Sequence, residues 1–303
     1  MAVLLRGLAL APLALAAGLL WVSQGLPSVS LLAHEPPVRT SYMRRAITEG
    51  RLAPDARVEW FPLSAMSLPM VCGVVKAEDT VFFAHRGFNH QQTLQAIQGR
   101  LQGRVVGHST ITMQLARNLF LGPEKTVARK VREVLLTREL ESALTKPQLL
   151  ELYLNIMELG PEVWGVAQAS RHYFGKSPSE LDAFEGTFFG AIAPAPLQPL
   201  EGPNLERARA KQAQLLWRLY VSGLLAPAPY QAAMRRHLTV FQALSHGAAL
   251  EEALARTAPA DAPLPPLPSR RVKEELPPER VLAESCGHRA ELQQWIHHPV
   301  PKF

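Results

Sequence analysis

The chain has 303 residues, 47% of them apolar and 19% charged, which allows one large domain or two small ones and excludes global disorder. Its net charge of +6 suits an anionic partner, without choosing among nucleic acid, lipid headgroups and phosphorylated substrates. The two cysteines, Cys72 and Cys286, give no disulfide framework by their spacing, and Cys72, inside an apolar run, reads as a buried small hydrophobe.

From Gly7 to Ala33 no Lys, Arg, Asp or Glu occurs. A helix needs about 20 such residues to cross a bilayer. Arg6 precedes the run and Trp21 sits near its far end, in keeping with the positive-inside and aromatic-belt tendencies. The rival reading is a cleaved signal peptide, with Ala14–Ala16 as the cleavage site. An uncleaved anchor over residues 1–33 is preferred, because the apolar run continues past that point. Either reading places the rest of the chain outside the cytoplasm. Residues 34–57, punctuated by proline, read as a connector, residues 58–244 as the compact domain, and residues 245–303 as an extended proline-rich tail.

Within the domain, "KAEDTVFFAHRGFNH" (76–90) sets Glu78 and Asp79 against apolar neighbours, where a carboxylate is costly unless paired or used. In "GHSTITMQLARN" (107–118), Gly107, Ser109 and Thr110 suit a helix N-terminus, whose free N–H groups and hydroxyls bind anionic oxygen. An ordinary N-cap is the plainer alternative. Gln114, Arg117 and Asn118 follow one and two turns later. The segment 126–144 carries a helical apolar stripe at 127, 131, 134 and 135. On the same helix Lys125, Arg129 and Glu133 fall at i, i+4 and i+8 beside Lys130 and Arg132, which gives either a solvated ion-paired face or a cationic cradle for a diphosphate. Thr145 and Gln148 form a capping-box pattern opening another helix, and two more are expected around 179–192 and 205–221. The domain is therefore expected to be mainly α.

These segments resemble the first three motifs of the family-51 glycosyltransferases, the peptidoglycan transglycosylases. "LLELYLNIMELGPEVWGVAQASRHYFGKS" (149–177) is similar to the family's fourth motif and, more loosely, "FEGTFFGAIAPAPLQPL" (184–200) to its fifth. The resemblance covers about residues 58–240. "YLNIMELG", the short chain and the lack of S-x-x-K and K-T-G signatures bring it nearest the monofunctional branch.

The resemblance implies a lysozyme-like, two-lobed helical domain with a small membrane-facing jaw, behind one transmembrane helix. It implies polymerisation of lipid II onto a growing glycan strand with inversion and release of undecaprenyl diphosphate. Glu78 matches the catalytic base and Glu133 the second essential acid. Asp79, Phe82, His85, Ser109, Thr110, Gln114, Arg117, Asn118, Lys125, Arg129 and Lys130 match the substrate-binding set. His85 reads equally well as a structural histidine, and Asp79 as a brace for its turn. No cofactor is required, and magnesium or manganese is expected only on the substrate diphosphate. The implied partners are lipid II, the glycan strand, the membrane and other cell-wall synthesis proteins, not nucleic acid. The implied location is the cytoplasmic membrane, single-pass, with the catalytic domain on the outer side.

Three positions depart from the family pattern: His108 for a small residue, Met113 for a frequent Gln, and Gly186-Thr187 for Ala-Ala. Two other readings remain: a scaffold on the same fold, against which the intact glutamates and cations argue, and a lysozyme-like hydrolase, which leaves the cations unexplained.

Overall fold

The computed structural model describes residues 26–90, 94, 98–99, 102–103, 109–259, 263 and 286. The described chain is mainly helical. Its centre is a pair of helices with almost no polar face. Helix α1 (Ser41–Thr48) precedes them, and α2 (Leu68–Glu78) is the first of the pair. Ser67 caps α2 by accepting from Met70 N, Pro69 stands in its first turn, and every residue from Met70 to Lys76 is buried.

Beyond α2 come α3 (Ile111–Phe120), α4 (Val127–Ala143), α5 (Lys146–Ile156), the strands β1 (Glu158–Gly160) and β2 (Val163–Trp164), and α6 (Gly165–Phe174). The strands pair antiparallel, with Glu158 opposite Trp164 and Gly160 opposite Val163. The second central helix is α7 (Ala183–Ile192), buried along its whole length. Helices α8 (Gly202–Val221), α9 (Pro227–Ser245) and α10 (Leu250–Ala255) complete the described part.

α2 and α7 meet backbone to backbone. A Cβ on Gly186 would lie 2.6 Å from Met70 N and Cα, and one on Gly190 would lie 2.9 Å from Gly73 O and Ala77 Cβ. The departure at 186 is thus a packing requirement: glycine lets α7 lie against the helix that ends in Glu78. Helix α8 packs on both. Its buried residues Leu205, Ala208, Gln212, Leu215, Leu216 and Leu219 form one helical stripe, and the Gln212 amide donates to Phe184 O at 2.7 Å.

Thr110 and Thr145 accept a backbone N–H where the sequence places caps, Gln148 completes the capping box, and Thr126 caps α4 in the same way. Five expectations are corrected. The face of α4 turned to the core is Glu133, Leu136, Thr137 and Leu140, whereas Val127 is 83% exposed. The stripe at 127, 131, 134 and 135 misleads because a glutamate takes the inward position. The segment read as a connector holds α1, whose Met43 and Ala46 cluster with Leu52 and Trp164. Val29 and Leu32, inside the segment read as an anchor, belong to the domain core. Helix α10 packs on α9, and Cys286 is buried and disulfide-bonded to Cys72 across 214 residues, with Cα atoms 5.6 Å apart. Spacing carries no sign of that bond because tertiary placement alone brings the two together.

The transmembrane reading of residues 1–25 and the residues Gly107 and His108 lie outside the described residues. Among the described residues no helix is long and apolar enough to cross a membrane.

Candidate active site

Glu78 is the last residue of α2 and Asp79 the first to leave its helical conformation, so the two carboxylates diverge. Asp79 turns inward. It accepts from Ile111 N at 3.1 Å, at the first turn of α3, and from His85 Nε2 at 2.9 Å. Thr110 accepts from Met113 N and donates to Gly87 O at 2.7 Å. One buried acid thus locks the end of α2, the following loop and the start of α3 together.

Glu78 faces a cavity of about 610 Å3, lined also by Ser109, Gln114, Arg117, Lys211 and Arg218. Gln114 Nε2 donates to Glu78 Oε2 at 2.8 Å, and Gln114 Oε1 accepts from Tyr153 OH at 3.1 Å. Burial pushes the Glu78 carboxyl above the usual carboxylate range. The Gln114 hydrogen bond and the charges of Lys211 and Arg117 pull the other way, while the Asp79 charge adds to the rise. Burial first, then the Glu78 charge, raises the Tyr153 phenol well above its ordinary value, so it remains a donor. The carboxylate is therefore an acceptor held by one neutral donor and facing cations, with raised proton affinity: the properties of a general base.

An adjoining cavity of about 210 Å3 shares Gln114, Arg117, Ala193 and Pro194 with the first and adds Asn118, Tyr42 and Tyr153. Tyr42 comes from α1, so the segment read as a connector reaches this wall.

Glu133 lies elsewhere on α4. It is fully buried, accepting from Arg129 Nη1 at 2.8 Å and from Lys130 Nζ. Neither cavity is lined by Glu133, Arg129, Lys130 or Lys125, and Lys125 is exposed. Of the residues singled out in the sequence, the structure therefore gathers Glu78, Ser109, Gln114, Arg117 and Asn118 on these two adjoining cavities and joins Arg129, Lys130 and Glu133 in an ion cluster. Asp79, Phe82, His85 and Thr110 line neither cavity. Phe82 is fully buried with Lys146 Nζ 4.3 Å from its ring centre, and Thr110 and Asp79 act as caps. Met113 is buried, and its N–H serves the Thr110 cap.

The fourth motif supplies Tyr153 to the adjoining cavity, and its other polar residues brace the scaffold. Asn155 Oδ1 accepts from Phe61 N at 2.7 Å, its amide donates to Phe61 O at 2.9 Å, and Glu151 accepts from Leu63 N at 2.7 Å. Residues 46–219 of the chain match the family model described as Transglycosylase.

The chain belongs to the transglycosylase family.

It is 36% identical to the biosynthetic peptidoglycan transglycosylase of Pasteurella multocida, over 57% of this chain and 72% of that one. It is 35% identical to the protein of the same description from Aeromonas hydrophila, over 56% and 73%. Penicillin-binding protein 1A of Aquifex aeolicus is 35% identical over 72% of this chain, which spans 31% of that longer protein.

In this transglycosylase α8 supplies a cationic wall that the motifs do not contain. Lys211 Nζ donates to Ala77 O at 3.0 Å, Arg218 Nη1 to Lys76 O at 3.2 Å, and Arg207 Nη1 to Ala191 O at 3.1 Å. Lys211 and Arg218 thereby satisfy carbonyls at the C-terminus of α2, where the helix dipole favours positive charge. The spacing of 207, 211 and 218 places these cations on one helical face, a signal available in the sequence. A larger cavity of about 980 Å3 lies away from Glu78. Its buried acid, Glu185, is already paired with Lys176 and Arg236, unlike the carboxylate of Glu78.

Proposed function

We propose that the chain is a peptidoglycan glycosyltransferase that polymerises lipid II during cell-wall synthesis, with Glu78 as its base. The observation that carries this reading is the Glu78 carboxylate, buried, held by Gln114 and facing Arg117 and Lys211 in a cavity of about 610 Å3. The acceptor sugar's 4-hydroxyl is a weak nucleophile at neutral pH. Glu78 takes its proton as the oxygen bonds to C1 of the donor and the bond from C1 to the diphosphate oxygen breaks, with inversion. Undecaprenyl diphosphate leaves carrying the bonding electrons. Arg117, in the same cavity, stabilises charge that grows on this leaving group. The Arg129–Lys130–Glu133 cluster is assigned to the distal end of the diphosphate, where Glu133 holds the two cations in place. Among the described residues no cluster of three His, Cys, Asp or Glu side chains could hold a metal, so magnesium or manganese would be held by the substrate's diphosphate and would neutralise part of its charge.

The helical domain is read as lysozyme-like, with a jaw turned to the membrane. The catalytic domain is assigned to the outer side of the cytoplasmic membrane, tethered by the apolar run that precedes Leu26 in the sequence. The Cys72–Cys286 disulfide suits that oxidising side. A tether keeps the enzyme in the plane that holds its polyprenyl substrate and raises the effective concentration of both. Other cell-wall synthesis proteins are the expected partners.

Detergent-solubilised protein incubated with lipid II is expected to yield glycan polymer and undecaprenyl diphosphate. Release of short sugars from preformed glycan without polymer would support hydrolysis instead and overturn this reading.

A further inference from the structure

Every neighbour of Lys76 on α2 from Met70 to Val75 is apolar or glycine, yet the lysine is buried with them, 1% exposed. Its Nζ has no hydrogen-bond partner. Burial, reinforced by the Arg218 charge, lowers the ammonium to about 8, so it stays mostly protonated at neutral pH. A buried unpaired cation costs several kcal/mol unless something compensates it. The residue lines the Glu78 cavity, on the wall carrying Thr80 and Arg218, which the adjoining cavity does not share. Around that cavity Lys76, Arg117, Lys211 and Arg218 face a single carboxylate, Glu78. Gln114, Lys211 and Arg117 are the partners that hold Glu78's charge, and Lys76 is not among them. Its charge therefore has no internal use.

We propose that Lys76, with Arg218 and Lys211, forms a second anion-binding corner of the cavity that positions an anionic oxygen group of the lipid-linked sugar. The inference rests on the functional reading above. The two ammonium groups and the guanidinium offer donors only, the Thr80 hydroxyl can add another, and the ligand's anionic oxygens supply the acceptors that Lys76 lacks. Two groups of that substrate share the chemistry: the diphosphate and the carboxylates of the peptide stem. Lys76 is a positioning residue, acting on binding and register rather than on the proton transferred to Glu78.

The test is substrate binding in a Glu78→Gln background, which removes turnover, comparing Lys76 with Lys76→Met. Two probes are used: lipid II, and the same lipid-linked disaccharide diphosphate without its peptide. Lys76→Met keeps the length and removes the charge, so the fold is expected to melt at the same temperature or higher, since a buried unpaired cation is lost. The proposal predicts that lipid II binding weakens by about tenfold, the value of one charge-assisted hydrogen bond. Equal weakening for both probes assigns the diphosphate, and weakening for the peptide-bearing probe alone assigns a stem carboxylate. Unchanged affinity for both probes overturns the proposal while leaving the functional reading intact. So does a lowered melting temperature with affinity unchanged, which would make Lys76 structural. No binding of either probe by the Glu78→Gln protein overturns the functional reading and this corner with it.

Discussion

Replacing Gln114 by leucine removes the one side-chain hydrogen bond that holds the Glu78 carboxylate among the described residues, while keeping the volume on α3. That bond, 2.8 Å long and made to a buried charge, stabilises the ionised form. Hydrogen bonds to charged groups contribute about 1.5–3 kcal/mol. At about 1.4 kcal/mol per pKa unit, its loss raises the Glu78 value by roughly one to two units. A base works only when deprotonated, so activity rises with pH through this value. The acid limb of kcat/KM for lipid II polymerisation is therefore expected to move to higher pH by that amount. Tyr153→Phe leaves Gln114 in place and unaligned, and should shift the limb the same way by less. The assay is initial polymerisation rate over roughly pH 5 to 9, with thermal melting to confirm that both variants fold. An acid limb that stays in place for a folded Gln114→Leu protein would refute the claim that this hydrogen bond tunes the base.

Three other expectations concern the scaffold. Gly186→Ala puts a Cβ 2.6 Å from the Met70 backbone, and the forced separation of α7 from α2 should cost about 1–3 kcal/mol in urea unfolding and lower activity by displacing Glu78. An unchanged midpoint would contradict the close packing. His237, buried and hydrogen-bonded to Gln212, is lowered by burial to about 4 from 6.5. Above 6.5 both folded and unfolded forms are neutral, and between the two values only the unfolded chain takes up the proton. Stability should therefore fall as pH falls through this window, by up to about 3 kcal/mol more than in His237→Gln, as read by urea unfolding at several pH values. Reduction of the Cys72–Cys286 bond should lower stability by about 2–4 kcal/mol, and equal melting with and without reductant would remove it from the account.

What the sequence made legible is local. A cap needs only its own residue and the next three, so Thr110 and Thr145 were readable. Glu78, Gln114 and Arg117 sit in long motifs and do meet in space. What escaped depends on partners distant in the chain. The direction of α4 is set by Glu133 pairing inward with Arg129 and Lys130, against the apolar pattern that Val127 suggests. The wall from α8 becomes a wall only because α8 crosses the end of α2, about 135 residues earlier in the chain. Asp79, Phe82 and His85 belong to the motif but are turned away from the cavity, since holding the turn after α2 requires a buried acid and its donors.

The central claim is that a buried carboxylate at 78 removes the acceptor's proton. Single-turnover polymerisation by Glu78→Gln, measured beside its affinity for lipid II, tests it most directly. Gln keeps the shape and removes the base, so the rate should fall by about two to four orders of magnitude with binding little changed. A rate within tenfold of the unmodified enzyme, with lipid II bound, would contradict it.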